Sequence, residues 1–418
     1  MTASAVPSAS GDPGLGVLRL PRAIVLGAGQ RHALGALVAG IGRRVLVCTD
    51  ERMAAGAEFE QVRASLTDAG VRVTVWAHTE PELPVAGILR CVEQLGSTTV
   101  DAVLGLGGGS CLDMAKVVAL LLAHGGQPSD YYGENRVPGP TVPVIAVPTT
   151  AGTGSEATPV AVLGDPDREM KVGISSPHLI PHLAVVDPEL TYTCPPALTA
   201  AAGIDAVVHL VESFTAVRRD RSPTLASERV FIGKNALTDA TALQGISLMA
   251  RSLPVAYHNP EDAQARQDVM LAALYGGISL GTAGTAAAHA LQYPIGALTH
   301  TPHGMGTGCL LPYVMRFNLP ARVEEFAQLA AAMGVTVSGT AADRARAGIE
   351  AIDALVKAVN VPSTLRELGV QRADLPAIAR HSLASVRLVE NNPRTLDEQA
   401  ALAIATAAFE GDLSFPAP

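Results

Sequence analysis

The first 190 residues alternate short apolar runs with longer amphipathic stretches. The apolar runs predict buried strands at 44–49, 71–76, 102–106 and 142–147. Apolar positions at helical spacing predict helices at 58–68, 85–95 and 112–122. Strands that alternate with helices require crossover connections, so this half is predicted to form a parallel sheet covered by helices on both faces.

The pattern changes after Pro195, where long Ala- and Leu-rich segments replace the β-branched runs. Good helix formers fill 197–215, 238–256, 263–279, 285–292, 322–333 and 341–359. The chain is therefore predicted to be an α/β protein, with a Rossmann-like parallel-sheet domain over 17–194 followed by an all-helical domain over 195–418. Residues 1–16 lack the charged start and apolar run of a signal peptide and are predicted to form a flexible tail.

Composition narrows the class of protein. The chain has 418 residues, of which 48% are hydrophobic and 17% charged, and its net charge is −9. A large core and a homo-oligomer are expected, while nucleic acid and anionic membranes are unfavourable partners for an acidic chain without a basic cluster. Five scattered cysteines suit reduced thiols in the cytoplasm. The longest apolar run, 117–123, is too short to span a bilayer.

A glycine-rich loop follows the third predicted strand. It consists of Gly107, Gly108, Gly109 and Ser110, and a predicted helix containing Asp113 follows it. Glycine lets backbone N–H groups approach a pyrophosphate, and a helix N-terminus favours its negative charge. The segment lacks both the dinucleotide fingerprint of a first βα turn and the Gly-Lys-Ser/Thr of a P-loop. A tight turn without a ligand therefore remains the alternative.

Two other strand ends carry polar groups that suit a nucleotide. Asp50 could accept hydrogen bonds from the adenosine ribose and repel a 2′-phosphate, which favours NAD over NADP. Capping of the next helix is the alternative role for this carboxylate. The segment 148–156 holds Thr149, Thr150 and Thr153 among glycines, and its hydroxyls could bind a nicotinamide ribose or a phosphate. An ordinary Gly/Thr loop is the alternative there.

Four side chains of the second half have the types and spacing of a catalytic metal site. Asp205 and His209 are four residues apart, so both project from one face of a helix. His289 and His303 are separated by a segment with two prolines and a glycine, which allows one to lie on a helix and the other beyond a turn. One carboxylate and three imidazoles leave a divalent cation an open position, as a catalytic metal needs. Chance spacing among eleven histidines is the alternative.

Together these segments resemble the iron-containing alcohol dehydrogenase family, also called group III alcohol dehydrogenases. The matching motifs occur in the family's order at 107–113, 148–156, 187–188, 203–209 and 289–304, and the resemblance covers about residues 18–410. It implies the fold shared with dehydroquinate synthase, in which a dinucleotide-binding domain precedes a helical domain and the site lies in the cleft between them. It also implies a homodimer or a larger assembly.

The resemblance further implies roles for single residues. The expected metal ligands are Asp205, His209, His289 and His303. The expected pyrophosphate cradle is Gly108, Gly109 and Ser110. The other expected cofactor contacts are Asp50, Gly107, Asp113, Thr149, Thr150, Thr153, Thr158, Lys171 and Leu190. Among these, Lys171 matches a basic residue near the nicotinamide ribose, and Leu190 matches an apolar position on the adenine side.

One position departs from many members of the family. A histidine often stands four residues after the third ligand, whereas this chain has Tyr293. A tyrosine pKa near 10 makes this side chain a poor proton relay at neutral pH. The segment 293–295, together with 80–81, the insertion 218–238 and 259–262, is similar to the hydroxyacid–oxoacid transhydrogenases. That similarity favours short ω-hydroxy acids, such as 4-hydroxybutyrate, as substrates.

The expected function is that of an NAD- and metal-dependent alcohol dehydrogenase. It would interconvert a small primary alcohol or hydroxy acid with its aldehyde by hydride transfer, with the metal acting as a Lewis acid on the alcohol oxygen. Fe²⁺ is the expected metal, and Zn²⁺ fits the same ligands. Two alternatives stay open: a transhydrogenase that holds its nicotinamide tightly, and a dehydroquinate synthase-type lyase on the same scaffold.

Overall fold

The computed structural model describes residues 15–168, 171–220 and 222–415. The predicted tail over 1–16 lies almost wholly outside these residues. The strands of the described part are β1 (Ala23–Leu26), β2 (Arg44–Cys48), β3 (Arg72–Trp76), β4 (Ala102–Gly107), β5 (Gly133–Glu134), β6 (Val144–Pro148), β7 (Val160–Leu163), β8 (Val172–Ser175) and β9 (Leu183–Val186).

The helices of the first half are α1 (Leu34–Ala39), α2 (Glu51–Ala54), α3 (Ala57–Asp68), α4 (Val85–Leu95) and α5 (Gly109–His124). Those of the second half are α6 (Pro196–Thr215), α7 (Leu225–Glu228), α8 (Ala236–His258), α9 (Ala263–Ala283), α10 (Ala287–Thr299), α11 (His303–Asn318), α12 (Val323–Ala332), α13 (Ala341–Ala358), α14 (Leu375–Ser382), α15 (Val386–Asn391) and α16 (Glu398–Glu410).

Six strands form a parallel sheet in the order β1-β9-β6-β4-β2-β3. Cys48 of β2 pairs with Gly105 of β4, and Gly107 at the end of β4 pairs with Pro148 at the end of β6. This register brings the segments that follow β2, β4 and β6 to one edge of the sheet. Ligands of parallel α/β sheets bind at this carboxyl edge.

Both faces of the sheet are covered by apolar clusters. On one face, Leu34, Phe59 and Leu66 of helices α1 and α3 pack against the strands. On the other face, helices α4 and α5 supply residues such as Ile88 and Val118. The predicted parallel sheet and helical second half are therefore confirmed. The second, three-stranded sheet, in the order β5-β8-β7, was not predicted from the sequence, and neither were strands β1 and β9.

Helix α6 runs through the core of the helical half and packs against α8, α9 and α11. Among the described residues it is the single unbroken helix long and apolar enough to cross a membrane, but 78% of its apolar window is buried inside the fold. Its apolar character therefore has a packing explanation, because core helices of globular proteins are apolar on every side.

The two halves meet through a small apolar cluster. Ala157 and Val186 of the first half pack with Met270, Leu274 and Ile278 of α9. At the same interface, a Cβ on Gly154 would lie 2.4 Å from the Cα of Gly277, so these two backbones approach more closely than side chains would allow. The threonine-rich loop after β6 is thereby held against the helical half.

Candidate active site

Three imidazoles converge on one carboxylate between the two halves. The Nε2 atoms of His209, His303 and His289 lie 3.6, 3.7 and 3.9 Å from the carboxylate oxygens of Asp205. Ligand atoms around a tetrahedral ion with bonds of about 2.1 Å are about 3.4 Å apart. The observed separations are too long for hydrogen bonds and close to the spacing that a bound ion requires. The structure brings the four expected ligands together.

The four side chains are not equivalent. Ligand atoms of Asp205, His209 and His289 all lie within 4.8 Å of one another, and these three residues are buried. His303 stands at the edge of the group, and its side chain keeps 30% of its exposure. The buried trio therefore forms the core of the candidate metal site, and His303 closes it from the side of the cavity.

Local structure explains how residues from three helices meet. Asp205 and His209 lie one turn apart on α6, His289 lies in the first turn of α10, and His303 begins α11. A Cβ on Gly304 would lie 1.9 Å from the carbonyl oxygen of Ala201. The missing side chain at Gly304 lets α11 start directly against α6, which places His303 beside Asp205.

The orientation of His289 is fixed by Glu212. The two Glu212 carboxylate oxygens accept hydrogen bonds from the backbone N–H groups of Ala286 (2.8 Å) and Ala288 (2.7 Å). The same carboxylate lies 2.7 Å from Nδ1 of His289. A proton on Nδ1 leaves the Nε2 lone pair directed at Asp205, and this buried Nε2 has no hydrogen-bond partner among the described residues. The donor set therefore fits a divalent metal ion.

Burial favours the neutral, metal-binding form of two of the imidazoles, those of His209 and His303. Burial is the main cause that lowers the pKa of His209, and it lowers the pKa of His303 to about 3. Burial by itself would raise the pKa of Asp205, but the neighbouring His209, His303 and His289 and the Thr307 hydroxyl leave it below its ordinary value. One charged carboxylate and three neutral imidazoles are the states that a divalent cation requires.

The expected nucleotide residues gather at the carboxyl edge of the sheet. They line an outer cavity of about 1050 Å³, together with Trp76, Thr79 and Arg90 among others. The expected contacts on this lining are Asp50, Gly108, Gly109, Ser110, Thr149 and Thr150. Gly107 is the last residue of β4, and its carbonyl oxygen accepts a hydrogen bond from the N–H of Thr149 (2.9 Å). The loop therefore presents the N-terminus of the long helix α5 to the cavity.

An inner cavity of about 450 Å³ continues from this lining to the metal residues. Gly109, Ser110 and Leu198 line both cavities. The other expected site residues on the inner lining are Asp113, Thr153, Thr158, Lys171, Asp205, His209, His289, Tyr293 and His303. The inner cavity therefore connects the glycine loop to the candidate metal site.

Comparison with known proteins agrees with this geometry. The family model described as iron-containing alcohol dehydrogenase matches residues 21–188, and its C-terminal counterpart matches residues 199–409.

The chain belongs to the iron-containing alcohol dehydrogenase family.

It is therefore an oxidoreductase that acts on CH–OH groups. The chain is 33% identical to the NAD-dependent methanol dehydrogenase of Bacillus methanolicus over 91% of this chain and 96% of that protein. It is 32% identical to the sulfoacetaldehyde reductase of Bilophila wadsworthia over 91% and 97% of the two chains. A solved structure of 1,3-propanediol oxidoreductase is similar with a TM-score of 0.88, at 31% identity over 94% of this chain and 99% of that one.

Two expected cofactor residues of this family member have protein partners of their own. Asp50 accepts a hydrogen bond from the N–H of Met53 (2.8 Å) through one oxygen, so it caps α2 while its side chain lines the outer cavity. Asp113 accepts hydrogen bonds from the Ser155 hydroxyl (2.6 Å) and the Val162 N–H (2.9 Å). Both oxygens of Asp113 are thus engaged in holding the segment 155–162 against α5.

Leu190 packs in the core of the first half. Its side chain is buried in the apolar cluster beneath the sheet, next to residues such as Leu106 and Val147, and it lines none of the cavities described above. The short 3₁₀ turn Pro188–Thr191, capped by Asp187, turns the side chain into the core. The structure therefore gives Leu190 a packing role, and the adenine contact that the resemblance implies stays a prediction.

Two buried residues of this site were missed from the sequence. Glu212 orients His289, and its position three residues after His209 on one helix is the pattern that could have revealed it. Lys116 is fully buried in α5, and its Nζ lies 2.8 Å from Ser155 Oγ and 3.1 Å from Thr158 Oγ1. Burial lowers the pKa of Lys116 to about 8. No spacing in the sequence indicates that this lysine faces inward.

Tyr293 lies in α10 one turn after His289, with its ring centroid 6.1 Å from that of His303. Burial is the main cause that raises the pKa of its phenol above the ordinary value. Lys171 lines the same cavity, and its Nζ lies 3.0 Å from Oε1 of Glu82. Tyr293 therefore offers the cavity a neutral hydroxyl, and Lys171 a cation that already has a carboxylate partner.

Proposed function

We propose that this protein is a metal- and NAD(H)-dependent alcohol dehydrogenase that interconverts a small primary alcohol or hydroxy acid and its aldehyde by hydride transfer. One observation carries the proposal. The Nε2 atoms of three imidazoles lie 3.6–3.9 Å from the carboxylate of Asp205, on the same cavity that the glycine loop lines.

The metal would be held by Asp205, His209, His289 and His303. Family membership supports Fe²⁺, and the nitrogen-rich donor set also suits Zn²⁺. When bound, a divalent ion supplies Lewis-acid polarisation of a substrate oxygen, and a nicotinamide supplies the hydride acceptor or donor. Glu212 keeps the proton of His289 on Nδ1, so that Nε2 stays available as a ligand.

The chain's backbone would hold the nucleotide. The backbone N–H groups of Gly109 and Ser110, at the start of α5, suit the negative charge of a pyrophosphate. Asp50 would accept hydrogen bonds from the adenosine ribose and disfavour a 2′-phosphate. The NAD named in relatives such as the methanol dehydrogenase supports the same choice of cofactor.

The remaining lining would exclude water and orient the reacting carbon. Phe231 and Leu280 are buried on the inner cavity, and Thr158 is fixed there by Lys116. Tyr293, whose phenol stays protonated, would donate a hydrogen bond to the substrate and not act as a base. A cavity closed by such groups strengthens electrostatic interactions between residues and substrate.

The decisive experiment measures NADH oxidation by the purified protein with short aldehydes, after loading with Fe²⁺ or Zn²⁺ under anaerobic conditions. We expect metal-dependent NADH consumption that chelation abolishes and reloading restores. Turnover that survives chelation and dialysis would refute the metal mechanism. The lyase alternative predicts no net change in NADH with any aldehyde.

The same preparation separates a dehydrogenase from a transhydrogenase. A transhydrogenase would keep nucleotide through purification and would need a keto acid as the second substrate, whereas the proposed enzyme releases NAD and uses it freely. Bound nucleotide can be measured after denaturation. Light scattering on the same sample tests the proposed homodimer or larger assembly.

A further inference from the structure

An arginine lines the inner cavity together with the candidate metal residues. Arg387 lies in the short helix α15 and lines both the inner cavity and a side cavity of about 820 Å³. Lys171 and Tyr293 are also shared by these two linings. Arg387 therefore lies where the inner cavity, which holds the candidate metal site, meets the side cavity.

The guanidinium is held by an aromatic ring. The Cζ atom of Arg387 lies 4.4 Å from the ring centroid of Phe231, a buried residue on the inner cavity. Stacking of this kind fixes the plane of the guanidinium without using its N–H groups. Within residues 15–168, 171–220 and 222–415, no hydrogen bond or ion pair engages those N–H groups.

The nearby carboxylates are already occupied by other donors. Glu134 accepts a hydrogen bond from the N–H of Val230 (2.9 Å) and pairs with Arg229 at 3.6 Å. Glu212 accepts from the backbone N–H groups of Ala286 and Ala288 and lies against His289, as described above. An arginine stays charged at neutral pH. Glu134 and Glu212 attract Arg387 electrostatically, but neither accepts a hydrogen bond from it among the described residues, so its N–H groups remain available to an anion.

The other charges of the inner cavity are matched. Glu82 pairs with Lys171 at 3.0 Å, and Asp113 accepts two hydrogen bonds. The metal residues would be balanced by the cation that they hold. Among the charged groups described on this lining, Arg387 is thus the one without a hydrogen-bonding anion.

We propose that Arg387 binds an anionic group on the substrate, so that the preferred substrates are short hydroxy acids and their aldehydes, with a carboxylate, sulfonate or phosphonate at the end remote from the reacting carbon. This inference rests on the proposed dehydrogenase function and specifies its substrate class. The planar fork of a guanidinium forms two parallel hydrogen bonds with such oxyanions. Because Arg387 and the metal residues line the same cavity, a substrate held by its anionic end would have its reacting end within that cavity.

The test compares aldehydes that differ in charge. Butanal is the neutral probe, 4-oxobutanoate the carboxylate probe, sulfoacetaldehyde the sulfonate probe and phosphonoacetaldehyde the phosphonate probe. We expect the metal-loaded enzyme to show a kcat/KM at least about 10-fold higher for one or more of the anions than for butanal, since a charge-assisted contact contributes about that factor. The preferred probe identifies the headgroup.

The variant Arg387→Gln should lower kcat/KM for the preferred anion by about 10- to 100-fold, and for butanal by a much smaller factor. The kcat/KM of Arg387→Lys for the preferred anion should lie between those of the wild-type enzyme and Arg387→Gln, because lysine keeps the charge but lacks the planar guanidinium. Arg168→Gln is the matched control. Arg168 is an exposed arginine on the side cavity, so its loss tests long-range attraction alone, and we expect less than about a 3-fold change.

Equal efficiency of the wild-type enzyme with butanal and with all three anions would overturn the inference, and so would an equal loss with all probes in Arg387→Gln. If Arg387→Gln fails to fold, as judged by circular dichroism, Arg387→Lys is tested instead. The deciding quantity is then its loss of kcat/KM for the preferred anion relative to its loss for butanal. Wild-type enzyme that oxidises no NADH with any aldehyde would instead refute the proposed function. The two failures are therefore distinguishable.

Discussion

The metal side and the nucleotide side of this site are built in opposite ways. The metal residues are four side chains from three helices, two of them fourteen positions apart on either side of a helix boundary. The nucleotide side consists of loops at one edge of a sheet, where backbone groups and missing side chains define the surface. The metal side therefore depends on the chemistry of four side chains, and the nucleotide side depends on the conformation of the backbone.

This difference predicts different responses to mutation. Removing a metal ligand abolishes metal binding and the catalysis that depends on it, but leaves the surrounding helices packed. Adding a methyl group to the glycine loop leaves all functional groups in place but changes the shape that the nucleotide must fit. Mutations on the metal side should therefore lower turnover and metal content, and mutations on the nucleotide side should lower nucleotide affinity.

The largest effect is expected for His209→Ala. Loss of one of the three buried ligands should remove the metal and lower kcat by about 1000-fold or more, with NADH affinity changed by less than about 3-fold. Metal analysis, steady-state kinetics and NADH fluorescence titration measure the three quantities. His381→Ala, at an exposed histidine of α14, is the matched control. Normal turnover of His209→Ala after dialysis would contradict the assignment.

A smaller loss is expected for Glu212→Gln. An amide has one acceptor oxygen, so it cannot satisfy the Ala286 N–H, the Ala288 N–H and His289 together. We expect metal affinity to fall by about 10- to 100-fold, as for other residues that orient a metal ligand. Competition with a chromogenic chelator measures it. Glu350→Gln, on the exposed face of α13, is the control, and equal affinities of the two variants would exclude the orienting role.

The nucleotide side is tested by Gly109→Ala. The new Cβ would lie 2.6 Å from the Thr153 methyl carbon, so the loop must shift. We expect NADH affinity to fall by about 10-fold while metal content stays normal. The double variant Gly109→Ala with Thr153→Ser removes the clashing methyl group and should recover part of the affinity. An unchanged affinity in the single variant would separate this loop from nucleotide binding.

The smallest effect concerns the choice between NAD and NADP. Asp50→Ser keeps an oxygen that can cap α2 at Met53 but removes the negative charge from the outer cavity. We expect the ratio of kcat/KM for NADPH to that for NADH to rise by roughly 5- to 10-fold, because repulsion of a 2′-phosphate is lost. Parallel assays with both cofactors measure the ratio. An unchanged ratio would remove Asp50 from the ribose site.

The sequence predicted those parts of the fold that have strong local patterns. Strands β2, β4 and β6 are continuous apolar runs, and α4 begins and ends at the predicted residues. Strands β1 and β9 were missed because each has only four residues and is defined by its pairing in the folded sheet, β1 with β9 and β9 also with β6. Helix α11 was missed because its glycines and Pro312 are poor helix formers, and tertiary packing overrides that preference.

The candidate site was predictable to the extent that its residues have characteristic spacing. Asp205 and His209 have a helical repeat, and the glycine loop follows a strand. Arg387 and Lys116 have neither, since their roles depend on which cavity or core they face after the chain has folded. Phe231, whose ring stacks on Arg387, lies in the insertion 218–238, and residues 230–232 of that insertion are buried.

Helix α6 serves both as the spine of the helical core and as the carrier of two ligands. An ion bound there would connect α6 to the starts of α10 and α11. The melting temperature of the protein would then report how much of the protein has metal bound. Because a ligand that binds only the native chain stabilises it by mass action, the melting temperature should rise with the concentration of free Fe²⁺ or Zn²⁺. Storage buffers that contain chelators would then shorten the lifetime of the protein even when no substrate is present.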